Sequence, residues 1–128
     1  KEIKSKQLEI NRENGALREE KALNDLETKY PESNGYKIHR EQYLRNPDGE
    51  IVKGPQTGEA RRVDFMVEKD GEIVKSIEVT SKTAPKESQI SKENNIRNEG
   101  GNYIKDRDTG KMIEFSKNVK TDIWRYLW

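Results

Sequence analysis

Arg61 to Lys82 reads RRVDFMVEKDGEIVKSIEVTSK, two apolar-alternating runs around Asp70-Gly71, and no other stretch limits the possible folds as much. Asp-Gly between such runs marks a β-hairpin, because both residues tolerate the positive φ that a tight turn of matching twist requires. The turn alone leaves the register open. A two-residue loop places Asp64 opposite Ile77 and mixes polar with apolar side chains on each face. A three-residue loop, Lys69-Asp70-Gly71 with Gly71 in a bulge, collects Val63, Phe65, Val67, Ile73, Ile77 and Val79 on one face, with Lys75 the exception. A buried face selects its register strongly, since a slip of one residue turns every side chain over. The second pairing is therefore expected. It puts Arg62, Asp64, Met66, Glu68, Ser76, Glu78, Thr80 and Lys82 on the opposite, polar face.

The rest of the chain fits around this hairpin. Residues 1–14 form a charged, weakly helical lead-in. From Gly15, the spacing of Ala16, Glu19, Leu23, Leu26 and Tyr30 predicts a helix that Pro31 ends. Tyr36 to Leu44 reads as a strand and Asn46-Pro47-Asp48-Gly49 as a turn. Beyond the hairpin, Thr83 is expected to cap a helix with Pro85 in its first turn, closed near Glu99 by Gly100-Gly101. Strands follow at 102–105 and 112–115 about a turn at 108–110, and Ile123 to Trp128 reads as a strand or short helix. The expected fold is α/β (α+β), with an α-β-β-β-α-β core and a mixed sheet flanked by helices. It forms one domain over residues 15–128, with a right-handed parallel crossover through the second helix.

Composition narrows the chemistry. Charged residues make up 38% and hydrophobic ones 30%, so the core is small, yet 25 basic against 24 acidic residues leave a net charge of only +1. That balance lacks the self-repulsion that keeps polar chains unfolded. The absence of cysteine excludes disulfides, thiolate zinc sites and a thiol nucleophile. A single histidine, His39, excludes a multi-histidine metal cage, so a bound metal rests mainly on carboxylates, which suits magnesium or manganese, with zinc possible. No apolar run approaches the ~20 residues that span a bilayer. No signal peptide is visible and the chain begins at Lys1, so a piece of a longer protein is expected.

Carboxylates on the polar hairpin face carry the functional expectation. Glu78-Val-Thr-Ser-Lys82 ends a strand expected to be central, where acids need partners. Glu19 falls inside the apolar stripe of the first helix, and a helix packed on the polar face would bring it to Asp64 and Glu78. Three acids beside Lys82 repel one another unless a cation joins them. The plain alternative is a solvated hairpin face, with Glu19 reaching solvent at the edge of its stripe.

These residues resemble the PD-(D/E)XK nuclease superfamily, the restriction-endonuclease-like fold. The order of elements is similar. Gly15-x-x-x-Glu19-x-x-Ala22-x-x-x-Leu26 resembles its first-helix acid motif, Asp64 its motif aspartate, Glu78 to Lys82 its acid-and-lysine strand, and Gln89 a glutamine on the following helix. TGEARRVDFMV, IEVTSKTAPKESQISKENNIR and GGNYIKDRDTGK look like the C-terminal toxin domains of bacterial polymorphic toxins, including contact-dependent growth inhibition effectors. The family's acid-x-Lys spacing is not kept. Either Glu78 is the metal-binding acid with Thr80 in the lysine's place, or Thr80-x-Lys82 is the motif with its acid replaced. The resemblance implies a metal-dependent nuclease with Glu19, Asp64, Glu78, Thr80, Lys82 and Gln89 at its centre, the metal on Asp64, Glu78 and Glu19. It implies a secreted or cell-surface carrier, action in the cytoplasm of a target cell, and a cognate immunity protein that blocks the site. Lys86, Lys92 and Arg97 are candidates to hold backbone phosphates. DNA is favoured narrowly over tRNA as substrate. The alternatives are an RNase, either on this fold or of the metal-independent barnase/colicin/RelE type using His39, and a non-enzymatic protein-binding module.

Overall fold

The computed structural model describes residues 2–127, with side chains from Glu9 onward. Two helices and a six-stranded mixed sheet make up the fold. Helix α1 (Glu2–Lys29) leads through a 3-10 turn at Glu32–Asn34 into β1 (Tyr36–Tyr43). Strands β2 (Arg62–Lys69) and β3 (Glu72–Ser81) form the hairpin, followed by α2 (Glu87–Asn98), β4 (Tyr103–Lys105), β5 (Met112–Glu114) and β6 (Thr121–Tyr126). The strand order is β1-β2-β3-β5-β4, with β6 also paired to β3, and the sheet does not close.

The hairpin keeps the expected parity by a different route. Its turn has two residues, Asp70 at φ 55° and Gly71 at φ 83°, and the extra residue is Val74, which bulges out of β3 between the pairs Val67–Lys75 and Glu68–Ile73. Beyond the bulge Ile77 lies opposite Phe65, where the three-residue loop would have placed Val63. The difference is two residues, an even step, so Phe65, Val67, Ile77 and Val79 share a face as expected. Ile73, before the bulge, is turned to the other side.

Both faces are buried, which the alternation alone did not foretell. Phe65, Val67, Ile77 and Val79 pack under Ala22 and Leu26 of α1. On the opposite face Met66, Ile73 and Val63 pack with Ile96 of α2 and with Leu44, Ile104, Ile113 and Phe115. The expected polar face is thus an interior one, with Met66 and Ser76 fully enclosed.

Four sequence expectations change. Ala16 is exposed, because the buried stripe of α1 starts at Ala22. Val63 joins the α2 side instead of lining up with Phe65, at a point where the β1–β2 ladder passes over Glu41 and Asp64 and Glu41 has φ 52°. Helix α2 starts at Glu87 with Lys86 at its N-cap, so Thr83 does not cap it, whereas the Gly100-Gly101 stop holds, with Gly101 N–H donating to the Ile96 carbonyl at 2.9 Å. The parallel partners of β3 are β5 and β6, while β4 runs antiparallel to β5. The first strand after α2 is therefore not the parallel neighbour of β3. The C-terminal strand is fastened to α1 by Tyr126, whose hydroxyl donates to Asp25 at 3.0 Å; burial, then Asp25, pushes that hydroxyl up to about 12. Trp128 lies outside the described residues.

Candidate functional site

The β2–β3 ladder ends at Phe65–Ile77. Past that pair, a side chain takes the place of a backbone partner: Asp64 Oδ2 accepts the Val79 N–H at 2.8 Å. The strands fork here, and β6 takes up the other edge of β3 from Ser76 to Ser81. A strand that parts from its neighbour exposes polar backbone, and a carboxylate of the right length satisfies it.

Glu78 points into the α2 side of this fork and is buried. Its Oε1 accepts from Arg61 Nη2 at 3.1 Å, and its Oε2 faces Lys86 Nζ at 3.3 Å. Arg61 spans onward to Glu93 of α2, Nε to Oε1 at 3.2 Å. Glu93 accepts from Thr121 Oγ1 at 2.7 Å, and Thr121 shares a hydrogen bond with Ser76 at 2.6 Å. Arg61, Glu78 and Glu93 are each more than nine-tenths buried. Interior charges persist only when paired and hydrogen-bonded, and this chain meets that condition across β2, β3, α2 and β6.

Asp64 stands at the open rim of that network, half-buried. Loss of solvent, and then the neighbouring carboxylates of Glu78 and Glu19, push its carboxyl up to about 6 against the pull of the Val79 N–H. Two carboxyls within hydrogen-bonding reach of each other hold one proton between them or attract a cation. Glu19 completes the group from α1 at longer range; its carboxylate is half-exposed and 3.6 Å from Arg40 Nη2.

The structure brings Asp64 beside Glu78, with Gln89 close by, since its side-chain oxygen accepts from Lys86 at 3.3 Å. Helix α1 packs on the apolar face and not, as expected, on the polar one. Glu19 therefore acts on Asp64 only at longer range and from the face opposite Glu78. The structure does not bring Lys82 into this group. Lys82 follows the end of β3 and is exposed, and the ammonium at Glu78 belongs to Lys86. Thr80 is buried two residues beyond Glu78. Lys92 sits at 3.5 Å from Glu59 on the surface. Arg97 is corrected as a phosphate-holding candidate: it is buried, stacks 3.7 Å over the Phe115 ring and donates to the Val119 and Ser116 carbonyls.

Sequence reasoning missed Arg61 and Glu93, whose partners lie 17 and 32 residues away. It also missed a second cluster. His39 of β1, Glu68 of β2 and Asp106 after β4 place one ligand atom each within 4.8 Å of one another, and this group could hold a metal ion. His39 Nε2 and Glu68 Oε1 are 2.7 Å apart. The one available signal was cross-strand proximity of His39 and Glu68 on the same face, which a β1–β2 register would have supplied.

No family model, curated protein or solved structure matches this chain. The functional reading therefore rests on the geometry above and on the sequence motifs.

Proposed function

We propose that the chain is a metal-dependent endonuclease toxin domain that hydrolyses phosphodiester bonds of DNA in competing bacteria and is neutralised by a cognate immunity protein. One observation carries the reading: Asp64 of β2 and Glu78 of β3 meet where the sheet forks, and Asp64, which also feels Glu19 of α1 from the other face, is held well above the ordinary carboxylate range. Raised carboxyls at an open rim are a common mark of a functional site. The order α-β-β-β-α-β through β4 is in keeping with the restriction-endonuclease-like resemblance.

The donor set suits a hard divalent cation. Asp64 and Glu78 would hold magnesium or manganese, with Glu19 behind them, and the ion would supply polarisation of the scissile phosphate and an acidified water. The chain's own residues supply position and charge. The Val79 N–H fixes the direction of Asp64. Arg61 holds Glu78 from behind, and Lys86, seated between Glu78 and Gln89, places a positive charge where the transferring phosphate gains negative charge. In this arrangement Glu78 fills the acid position of the motif and Thr80 is a buried support. Lys82 is left to meet the substrate backbone from the exposed strand end.

His39 is buried against Glu68. An enclosed imidazole is poorly placed to exchange protons with a substrate, which favours the carboxylate site over a metal-independent RNase.

The test incubates the purified chain with plasmid DNA and with total tRNA, each with magnesium, manganese or EDTA, beside a folded Asp64→Asn variant. Loss of a direct ligand is expected to lower cutting by at least ~100-fold, no less than the loss of an outer-shell partner. DNA cutting that needs metal and Asp64 is the expected result. Cutting of tRNA alone under the same requirements moves the substrate to RNA, and cutting that survives EDTA and Asp64→Asn sinks the metal mechanism.

A further inference from the structure

We infer that His39, Glu68 and Asp106 bind one divalent transition-metal ion, zinc before manganese, at the seam between the β1–β2 pair and the β4–β5 hairpin. This site is separate from the fork. Glu68 stands four residues from Asp64 on the same strand, about 13 Å along it.

Three features point to a metal. First, the cluster mixes one imidazole nitrogen with two carboxylate oxygens, and imidazole shifts preference from magnesium and calcium toward zinc and its neighbours. Second, the ligands are oriented in advance. Asp106 Oδ1 accepts the backbone N–H groups of Asp108 at 2.8 Å and Thr109 at 3.3 Å, the kind of outer support that metal-binding carboxylates require. Asp106 and His39 are each about 5% exposed, so their positions are set by packing. Third, the local charge is short of cations. Glu68, Asp106 and the exposed Asp108 face one ammonium, Lys37, which lies 2.7 Å from Asp106 Oδ2 and 3.0 Å from Asp108 Oδ2. With a neutral imidazole a divalent ion cancels the remaining charge.

The geometry needs only a small adjustment. Ligand atoms at ~2.0–2.2 Å around a tetrahedral ion stand roughly 3.3–3.6 Å apart, so His39 Nε2 and Glu68 Oε1, now 2.7 Å apart, part by under ~1 Å as the ion replaces the hydrogen between them. Lys37 keeps Asp108 when the ion takes Asp106 Oδ2, and a water fills the remaining position. The ion would tie Asp106, just past β4, to His39 of β1 and Glu68 of β2.

His39 is the only histidine in the chain, so imidazole ring resonances report on this site alone. The experiment titrates zinc into the ¹⁵N-labelled Asp64→Asn chain, which removes the fork's contribution, and follows the ring nitrogens, with magnesium as a parallel arm. Zinc is expected to shift the His39 ring signals to completion at one equivalent, while magnesium leaves them in place. Glu68→Gln, which keeps a hydrogen-bonding partner for His39, is expected to weaken zinc about 10-fold or more. Ring signals unmoved by several equivalents of zinc overturn the site. An unchanged zinc midpoint in Glu68→Gln overturns the ligand set. Both readouts are independent of nuclease activity.

Discussion

At Asp64, stability and function pull in opposite directions. Its folded pKa, about 6, lies above the ordinary value of 3.8, so the folded protein binds the proton more tightly than the unfolded chain. Stability from this group is full below pH 4, falls as pH rises to about 6 and stays low above that. Asp64→Asn keeps an oxygen for the Val79 N–H and removes the charge. In EDTA the variant is expected to match the parent in thermal stability at pH 4 and to exceed it at pH 7.5 by about 1 kcal/mol, a figure reduced for the solvent that reaches this carboxyl. Denaturant melts of both proteins at the two pH values check it, and a less stable variant at pH 7.5 refutes the assignment. The side that Glu78 faces was legible in the sequence, because alternation holds from Ser76 to Thr80. Alternation breaks at Asp64, between Val63 and Phe65 on opposite faces, and the face on which α1 packs, and with it the place of Glu19, was not legible. Nor was Lys86 in place of Lys82. Which ammonium reaches Glu78 depends on where α2 begins, and Thr83-Ala84-Pro85 looked like a helix start that the chain delays to Glu87.

Among the elements, α2 is attached to the sheet more by charge than by apolar contact. Its described buried residues are Glu93, Ile96 and Arg97. Ile96 alone enters the apolar cluster. Glu93 meets Arg61, and Arg97 donates to the Val119 and Ser116 carbonyls in the loop before β6. Removing Arg97 leaves buried carbonyls without a donor and takes from Glu93 the farther of its two cations, at 3.9 Å, while Arg61 stays at 3.2 Å. Arg97→Met, which keeps most of the volume over Phe115, is expected to cost about 3 kcal/mol in urea unfolding. A loss within experimental error would mean that solvent or Arg61 replaces it. An amphipathic-helix reading was bound to miss this attachment, because a stripe made of Glu, Ile and Arg looks like a solvated face. The hairpin was legible for the opposite reason. Its parity is set by Phe65, Val67, Ile77 and Val79, and survives because the two-residue turn and the one-residue bulge at Val74 together leave the pairing two residues, an even step, from the expected one.

For the molecule as a whole, the sheet has one edge held by few apolar residues. The β4–β5 hairpin meets β1 through the Lys37–Asp106 pair, through Arg107 donating to the Arg40 and Glu41 carbonyls, and through the Arg45–Tyr103 bridge. A chain with so many charges and so small a core joins its parts with ion pairs, and ion pairs respond to pH. The Lys37 ammonium, then the backbone N–H groups of Asp108 and Thr109, hold the Asp106 carboxyl down to about 2 against its burial. Its folded pKa lies below the unfolded one, so the stability it contributes is present above pH 4 and disappears as pH falls through about 2. Asp64 acts with the opposite sign between pH 4 and 6. In metal-free protein the two trends place the greatest stability near pH 4 as far as these groups decide it, acid of the common range. Asp106→Asn is expected to flatten the acid limb and leave the limb above pH 4 intact, whereas Asp64→Asn does the reverse. Unfolding curves in EDTA from pH 2 to 7 for the parent and both variants make the comparison. Hydrogen exchange at Ile104 and Ile113 then locates the acid limb: faster exchange there than in β2 as pH falls from 4 to 2 places the loss at the β4–β5 edge. Uniform acceleration across the sheet would mean that the edge and the core open together, and that the fold behaves as one cooperative unit in spite of its polar seam.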